Sequence, residues 1–292
     1  MARTVGEERL TISAVSSSLG IPIPTIRSWE RRYGFPAPVR TRGRHRRYSM
    51  HEVDLLRQLR DEITRGYPAR QAVEVVLSRS AAGGMPRVRY LDDFLASATR
   101  LEPSGLRGAL DGAAEALGVE AAVRDVALPA MHEIGSRWAS GDCDIAHEHL
   151  ATEAVRVWLA RLAAMAPAPF RPKPLVLACG PKDLHAIGLE AFGVLLARRG
   201  WDTRVLGALT PISSLVAAAR AAEARGAVVT SQRSVTRRAA IDAVRAVGTI
   251  AGVTPFYAGD AFAAPAARRD VPGVYLGSDV VAGVAVLERA LA

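Results

Sequence analysis

Cysteine is almost missing from this 292-residue chain, which carries only Cys143 and Cys179. Their separation excludes a disulfide framework and any Cys-x-x-Cys metal site, so both are expected to be free buried thiols. No apolar stretch reaches the roughly 18 residues that a membrane span needs, and Met1 to Leu10 is charged, unlike a signal peptide. The expectation is a cytoplasmic protein with no membrane partner. No Gly-x-Gly-x-x-Gly follows the first predicted strand, which argues against a dinucleotide cofactor. Internal repeats are also lacking. Lysine is absent from the first eighty residues, where 15 arginines stand against 8 acidic residues and carry seven of the nine net positive charges. A cationic surplus gathered in one module is the footprint of a nucleic-acid binder.

What is present is 49% apolar residues, enough to build real cores in two or three domains of about 100 to 150 residues each. Residues 81–86 (Ala-Ala-Gly-Gly-Met-Pro) and the stiffer, proline-rich 166–174 read as linkers. They divide the chain into 1–80, 87–165 and 173–292. The spacing predicts a helix from Ile12 to Leu19 closed by Gly20, then a second opened by Pro24 and stopped after Tyr33 by Gly34. That is a helix-turn-helix. On the second helix Arg27 and Arg31 lie one turn apart on one face, while Ile26, Trp29 and Tyr33 fall on the other as core. Such a helix suits the major groove, with guanidinium groups toward guanine edges or phosphates. Residues 40–48 put turn formers between two cationic arms, as a DNA-contacting wing would, and Ser49 caps a third helix before Pro68 opens a fourth.

The second part is expected to be helical throughout. Within it, Trp138 lies near one helix end, and Glu148 and His149 lie in the first turns of the next. Adjacent helix positions differ by about 100°, so both can border one pocket, whereas His147 and His149 differ by about 200° and cannot chelate one metal. A core tryptophan and a surface Glu-His pair are the plainer reading of the same residues. The third part alternates strands, near 175–179, 203–206, 227–230, 253–257 and 274–276, with helices, including one from Gly188 to Arg199. Just past its first strand comes Asp183-Leu184-His185-Ala186-Ile187-Gly188. A loop at the carboxyl end of such a strand is where open α/β sheets bind ligands. His185 there can ligate a metal while Asp183 holds its other ring nitrogen, and Gly188 lets a bulky group approach the backbone. The alternative is a satisfied loop histidine beside an N-capping aspartate.

The Asp-x-His-x-x-Gly pattern resembles that of the cobalamin-binding domains of methionine synthases and related proteins. That resemblance implies that His185 is the lower axial ligand of cobalt, with Asp183 behind it and Gly188 beside the channel for the displaced nucleotide tail. Over Leu10 to about Leu77, "TIRSWERRYGFPAPVRTRGRHRRYS" closely resembles the head of MerR-family transcription regulators. It implies a winged helix that binds double-stranded operator DNA as a dimer, with Arg27, Arg31, Arg44, Arg46 and Tyr48 as contacts. The whole order, with Trp-x9-Glu-His between the two, is similar to the adenosylcobalamin-dependent light-sensing repressors of carotenoid synthesis. The fold implied is a winged helix-turn-helix head, a helical bundle capping the cofactor, and a Rossmann-like five-stranded parallel sheet.

By the same resemblance the protein is no enzyme, its cofactor is adenosylcobalamin, and Trp138, Ile145, Glu148 and His149 form the pocket on the upper corrin face. In the dark such a protein is a homo-oligomer, a tetramer built of dimers, that blocks transcription; light removes the adenosyl group and the assembly leaves DNA. Some positions depart from the pattern. Ala139 stands where well-known members carry a histidine that captures cobalt after photolysis, leaving His132, His149 or water to take that place. Around the tail, Ser231-Gln232-Arg233 and Ala258-Gly259 replace Ser-x-Leu and Gly-Gly, keeping Ser231 and Gly259. A light-independent cobalamin sensor, or a cofactor-free regulator, is the competing expectation. A cobalamin-dependent methyltransferase would need a further domain in the place the head occupies.

Overall fold

A computed structural model describes residues 10–40, 46–64 and 66–292, which fall into two compact units, Met1–Met85 and Pro86–Ala292. In the first, strand β1 (Leu10–Thr11) runs into helix α1 (Ile12–Leu19). Thr11 caps that helix by accepting from Ala14 N at 3.2 Å, and Gly20 ends it in the left-handed region at φ 66°. Helix α2 (Ile23–Tyr33) has Pro24 in its first turn and Gly34 past its last. Strands β2 (Val39–Arg40) and β3 (Arg46–Tyr48) pair antiparallel, and β1 joins the free edge of β3. Helix α3 (Met50–Thr64) opens on a reciprocal cap: Ser49 N donates to Glu52 Oε2 (2.7 Å) and Glu52 N to Ser49 Oγ (3.3 Å). Val15, Leu19, Ile26, Trp29, Leu56 and Leu59 close one small core.

Helix α4 (Ala69–Thr99) runs through residues 81–86, where the composition predicts a linker. Each glycine in a helix costs about 1 kcal/mol relative to alanine, and Pro86 removes a backbone donor. The division into units falls between Met85 and Pro86, within that stretch.

The second unit adds α5 (Pro103–Leu117), α6 (Val119–Ala122), a π-helical turn (Val123–Ala127), α7 (Leu128–Ser140) and α8 (Ile145–Ala164). Five strands follow, each within about a residue of its predicted place: β4 (Leu175–Cys179), β5 (Thr203–Gly207), β6 (Gly226–Thr230), β7 (Thr254–Ala258) and β8 (Val274–Tyr275). They form one parallel sheet in the order β5-β4-β6-β7-β8. Helices α9 (Ile187–Arg198), α10 (Ile212–Ala221), α11 (Arg237–Gly248) and α12 (Val280–Leu291) cover it.

Alternation along β4 feeds two cores, as the two-residue period of a strand requires. Val176 and Ala178 pack with α10 and α11, whereas Leu175, Leu177 and Cys179 pack with α9 and α12. The second of these cores continues without a break into the helical bundle, through Trp158, Leu159 and Leu162 of α8. Bundle and sheet are thus one compact body, although residues 166–174 separate them in sequence. That stretch is itself pinned, because Phe170 N and Arg171 N both donate to Gly200 O at 3.1 Å.

Candidate functional site

Strand β5 follows β4 in the chain but lies on the opposite side of it from β6, so the winding reverses at β4. Ligand crevices of open α/β sheets form at that reversal, outside the carboxyl ends of the strands. The loop after β4 brings Asp183 and His185 there, and the loop after β6 brings Ser231 to Thr236. Asp183 is 1% exposed. Its Oδ1 accepts from His185 N (3.0 Å) and His185 Nδ1 (2.8 Å), and its Oδ2 accepts from Gln232 N (2.7 Å) and Thr236 Oγ1 (3.2 Å). Burial opposes ionisation of this carboxyl, but the hydrogen bonds from His185 and Gln232 prevail and hold it below the usual carboxylate range. A carboxylate beside Nδ1 places the imidazole proton there and leaves the Nε2 lone pair free. The His185 side chain is 53% exposed. An oriented imidazole with an open nitrogen has the chemistry of a metal ligand.

The donor set limits which metal. Among the described residues no group of three or more His, Cys, Asp or Glu side chains could hold an ion. A bare zinc site takes three or four protein ligands. One imidazole fits a metal whose other positions are filled by a macrocycle, and cobalt in a corrin meets that description.

Other sequence-predicted residues of the sheet behave differently from one another. Ser231 is wholly buried and its hydroxyl meets Thr236 Oγ1 at 2.7 Å, so it props the residue that holds Asp183 and does not face the crevice. Gly188 lies in the first turn of α9, and a Cβ there would meet only Gln232 Nε2, at 3.9 Å. Gly259, at φ 103°, admits no side chain, since a Cβ would collide with the Ser231 carbonyl. Gln232 and Thr236 were not singled out in the sequence; the signal was the Ser-Gln-Arg run itself, read for a tail contact and not for donors to Asp183. Cys179 is buried, with its thiol pushed up to about 11 mainly by that burial, while Cys143 is only half-buried.

In the bundle, α7 ends with Gly141 in the left-handed region, and α8 opens on Asp144, whose carboxylate accepts from Ala146 N (2.9 Å). His147 Nδ1 accepts from Asp144 N (3.2 Å), which makes His147 a capping residue. These two helix ends present Trp138 at 49% exposure and Ile145 at 43%. Thr152 Oγ1 donates to Glu148 Oε1 (2.9 Å), and Glu148 Oε2 meets His149 Nδ1 (2.8 Å). This hydroxyl-carboxylate-imidazole chain repeats the Thr236, Asp183, His185 arrangement on a helix. Ala139 and His132 are exposed on α7.

In the head, Arg27 and Arg31 are exposed on α2, and Ile26 and Trp29 are buried behind them. Arg44 lies outside the described residues. Arg46 is held by Glu30, with Nε to Oε2 at 2.6 Å and Nη2 to Oε1 at 3.1 Å, a bidentate pair that braces β3 against α2. Tyr48, expected to touch DNA, is 0% exposed and belongs to the core. Burial, then the neighbouring Glu30 carboxylate, pushes its phenol up to about 12. A wholly enclosed ring offers no atom to a groove, so the expected Tyr48 contact is corrected to a packing role.

Residues 10–78 match a family model described as MerR HTH family regulatory protein, and residues 90–163 one described as B12 binding domain. The HTH-type transcriptional repressor CarA of Myxococcus xanthus is 36% identical over 209 residues, 70% of each chain. The HTH-type transcriptional repressor CarH of the same organism is 29% identical over 224 residues, 72% of this chain and 75% of the relative. Of solved structures, the Methanosarcina barkeri monomethylamine corrinoid protein superposes with a TM-score of 0.56 at 12% identity, over 70% of this chain and 99% of that one. That last likeness is one of fold.

Proposed function

The chain belongs to the family of the HTH-type transcriptional repressor CarA, and from that premise we propose that it is a DNA-binding repressor, not an enzyme, governed by adenosylcobalamin and light. The observation that carries the reading is the Asp183-His185 pair at the sheet's winding reversal. There His185 Nε2 would hold cobalt while Asp183 fixes the ring. Gly188 and Gly259 would leave room beside it, and Ser231 would keep Thr236 on Asp183. Trp138, Ile145, Glu148 and His149 would border the upper face.

When bound, adenosylcobalamin supplies a cobalt-carbon bond that visible light breaks. Trp138 and Ile145 would supply an apolar wall for the adenosyl group, and covering that wall would favour the bound state by about 25 cal/mol per Å². Such a contact, present in one state and missing in the other, is what a ligand needs in order to shift an equilibrium. Arg27, Arg31 and Arg44 would contact operator DNA, and Arg46 would brace β3 against α2. Two heads per dimer, and dimers joined in a dark tetramer, multiply single-head affinity, so dissociation of the assembly releases DNA by lost avidity.

The test uses full-length protein and adenosylcobalamin in darkness, with visible spectra, size-exclusion profiles and operator binding recorded before and after green illumination. Spectral binding, a larger dark species and light-dependent release of DNA are expected. Binding without any light effect favours a chemical sensor, for which the alanine at position 139 is the specific motive. A His185→Ala variant that binds and absorbs like the parent would falsify the ligand assignment.

A further inference from the structure

Gln232 fills the space between two glycines at the carboxyl end of the sheet. Its side-chain Oε1 accepts from Asp260 N at 3.2 Å, and its Nε2 lies where a Cβ on Gly259 (3.2 Å) or on Gly188 (3.9 Å) would touch it. Gly259 admits no side chain, so the wall on that side is bare backbone. The Gly188 wall begins three residues after His185. Two backbone positions without side chains therefore flank one flexible amide, in the loops that also hold the proposed ligand imidazole. The amide is half-buried, and among the described residues one hydrogen bond, to an exposed backbone donor, holds it.

We propose that the gap between Gly188 and Gly259 is a slot, that Gln232 is its gate, and that this gate sets which corrinoids the chain accepts; the inference rests on the corrinoid reading above. Cobalamin carries its own base on a slender nucleotide arm. If His185 takes the position below the metal, that arm must leave it and find a thin passage on the same side. For the arm to enter, the Gln232 side chain gives up Asp260 N and swings outward. The Gln232 backbone N–H meanwhile keeps its 2.7 Å bond to Asp183, so the gate opens without loosening the carboxylate that orients His185. A corrinoid that lacks the arm never meets the gate.

The experiment compares the full-length chain with Gln232→Ala and Gln232→Ser in the dark. Each is titrated with aquocobalamin, which has the arm, and with aquocobinamide, which lacks it, following the visible spectrum and its rate of change. Both variants are expected to bind aquocobalamin about two- to tenfold faster and more tightly, the range of one net hydrogen bond, with aquocobinamide binding unchanged. Unaltered aquocobalamin binding, or an equal change for both corrinoids, overturns the gate while leaving the corrinoid reading intact. Failure of the parent chain and both variants to bind either corrinoid overturns the two together.

Discussion

Asp183 decides what His185 can be. Burial works against ionisation of its carboxyl, but hydrogen bonds from His185 N, Gln232 N and the His185 ring outweigh it and hold the group below the usual carboxylate range. A depressed carboxyl lends stability that is fully present above its unfolded value and is lost as pH falls through the folded one. The parent chain is therefore expected to lose stability more steeply than Asp183→Asn between about pH 5 and pH 2, as denaturant midpoints across that range would record; parallel curves would remove the argument. Thr236→Val, which deletes one donor to the same carboxylate, is expected to cost about 1 kcal/mol, read from denaturant midpoints. The Asp-His pair was legible because two residues of spacing suffice to join them. Gln232 and Thr236 reach the same carboxylate from about fifty residues away, through a loop whose path no local pattern encodes. Tyr48 was misjudged for a related reason: an aromatic at a strand end reads the same whether it faces a groove or a core.

Helix α8 depends on its first turn. Asp144 caps it and His147 returns the bond, and Glu148 and His149 follow at once. Asp144→Ala is expected to cost about 1 kcal/mol and to weaken corrinoid binding through the misplaced Glu148-His149 pair, which thermal unfolding and spectral titration measure separately. Unchanged binding despite lost stability would detach that pair from the site. Elements of this size were mostly readable, since apolar runs marked the strands and Gly20, Gly34 and Gly141 marked helix ends. Strand order was not readable, because the reversal at β4 that creates the crevice comes from which crossover covers which face. The stretch at 81–86 is helical, yet the division between the two units falls inside it, between Met85 and Pro86.

At the scale of the molecule, bundle and sheet share one core through Trp158, Leu162, Leu189 and Phe192. Phe192→Ala, on α9 against the sheet, is expected to cost about 3 to 5 kcal/mol and to lower bundle and sheet together in one calorimetric transition; two transitions moving independently would separate them. The head is governed by charge instead. With seven of nine net positive charges in its first eighty residues, the chain should bind duplex DNA with a log binding constant that falls linearly in log salt. If Arg27 or Arg31 meets a phosphate, replacing it with alanine lowers that slope by about one, with little change in sequence preference; if it meets a base edge, the slope holds and discrimination at one position relaxes. Arg46→Ala behaves differently from both, because its guanidinium is already spent on Glu30: destabilisation of the wing should precede any change in slope. A slope that drops by about one for Arg46→Ala at unchanged stability would return that residue to the DNA interface.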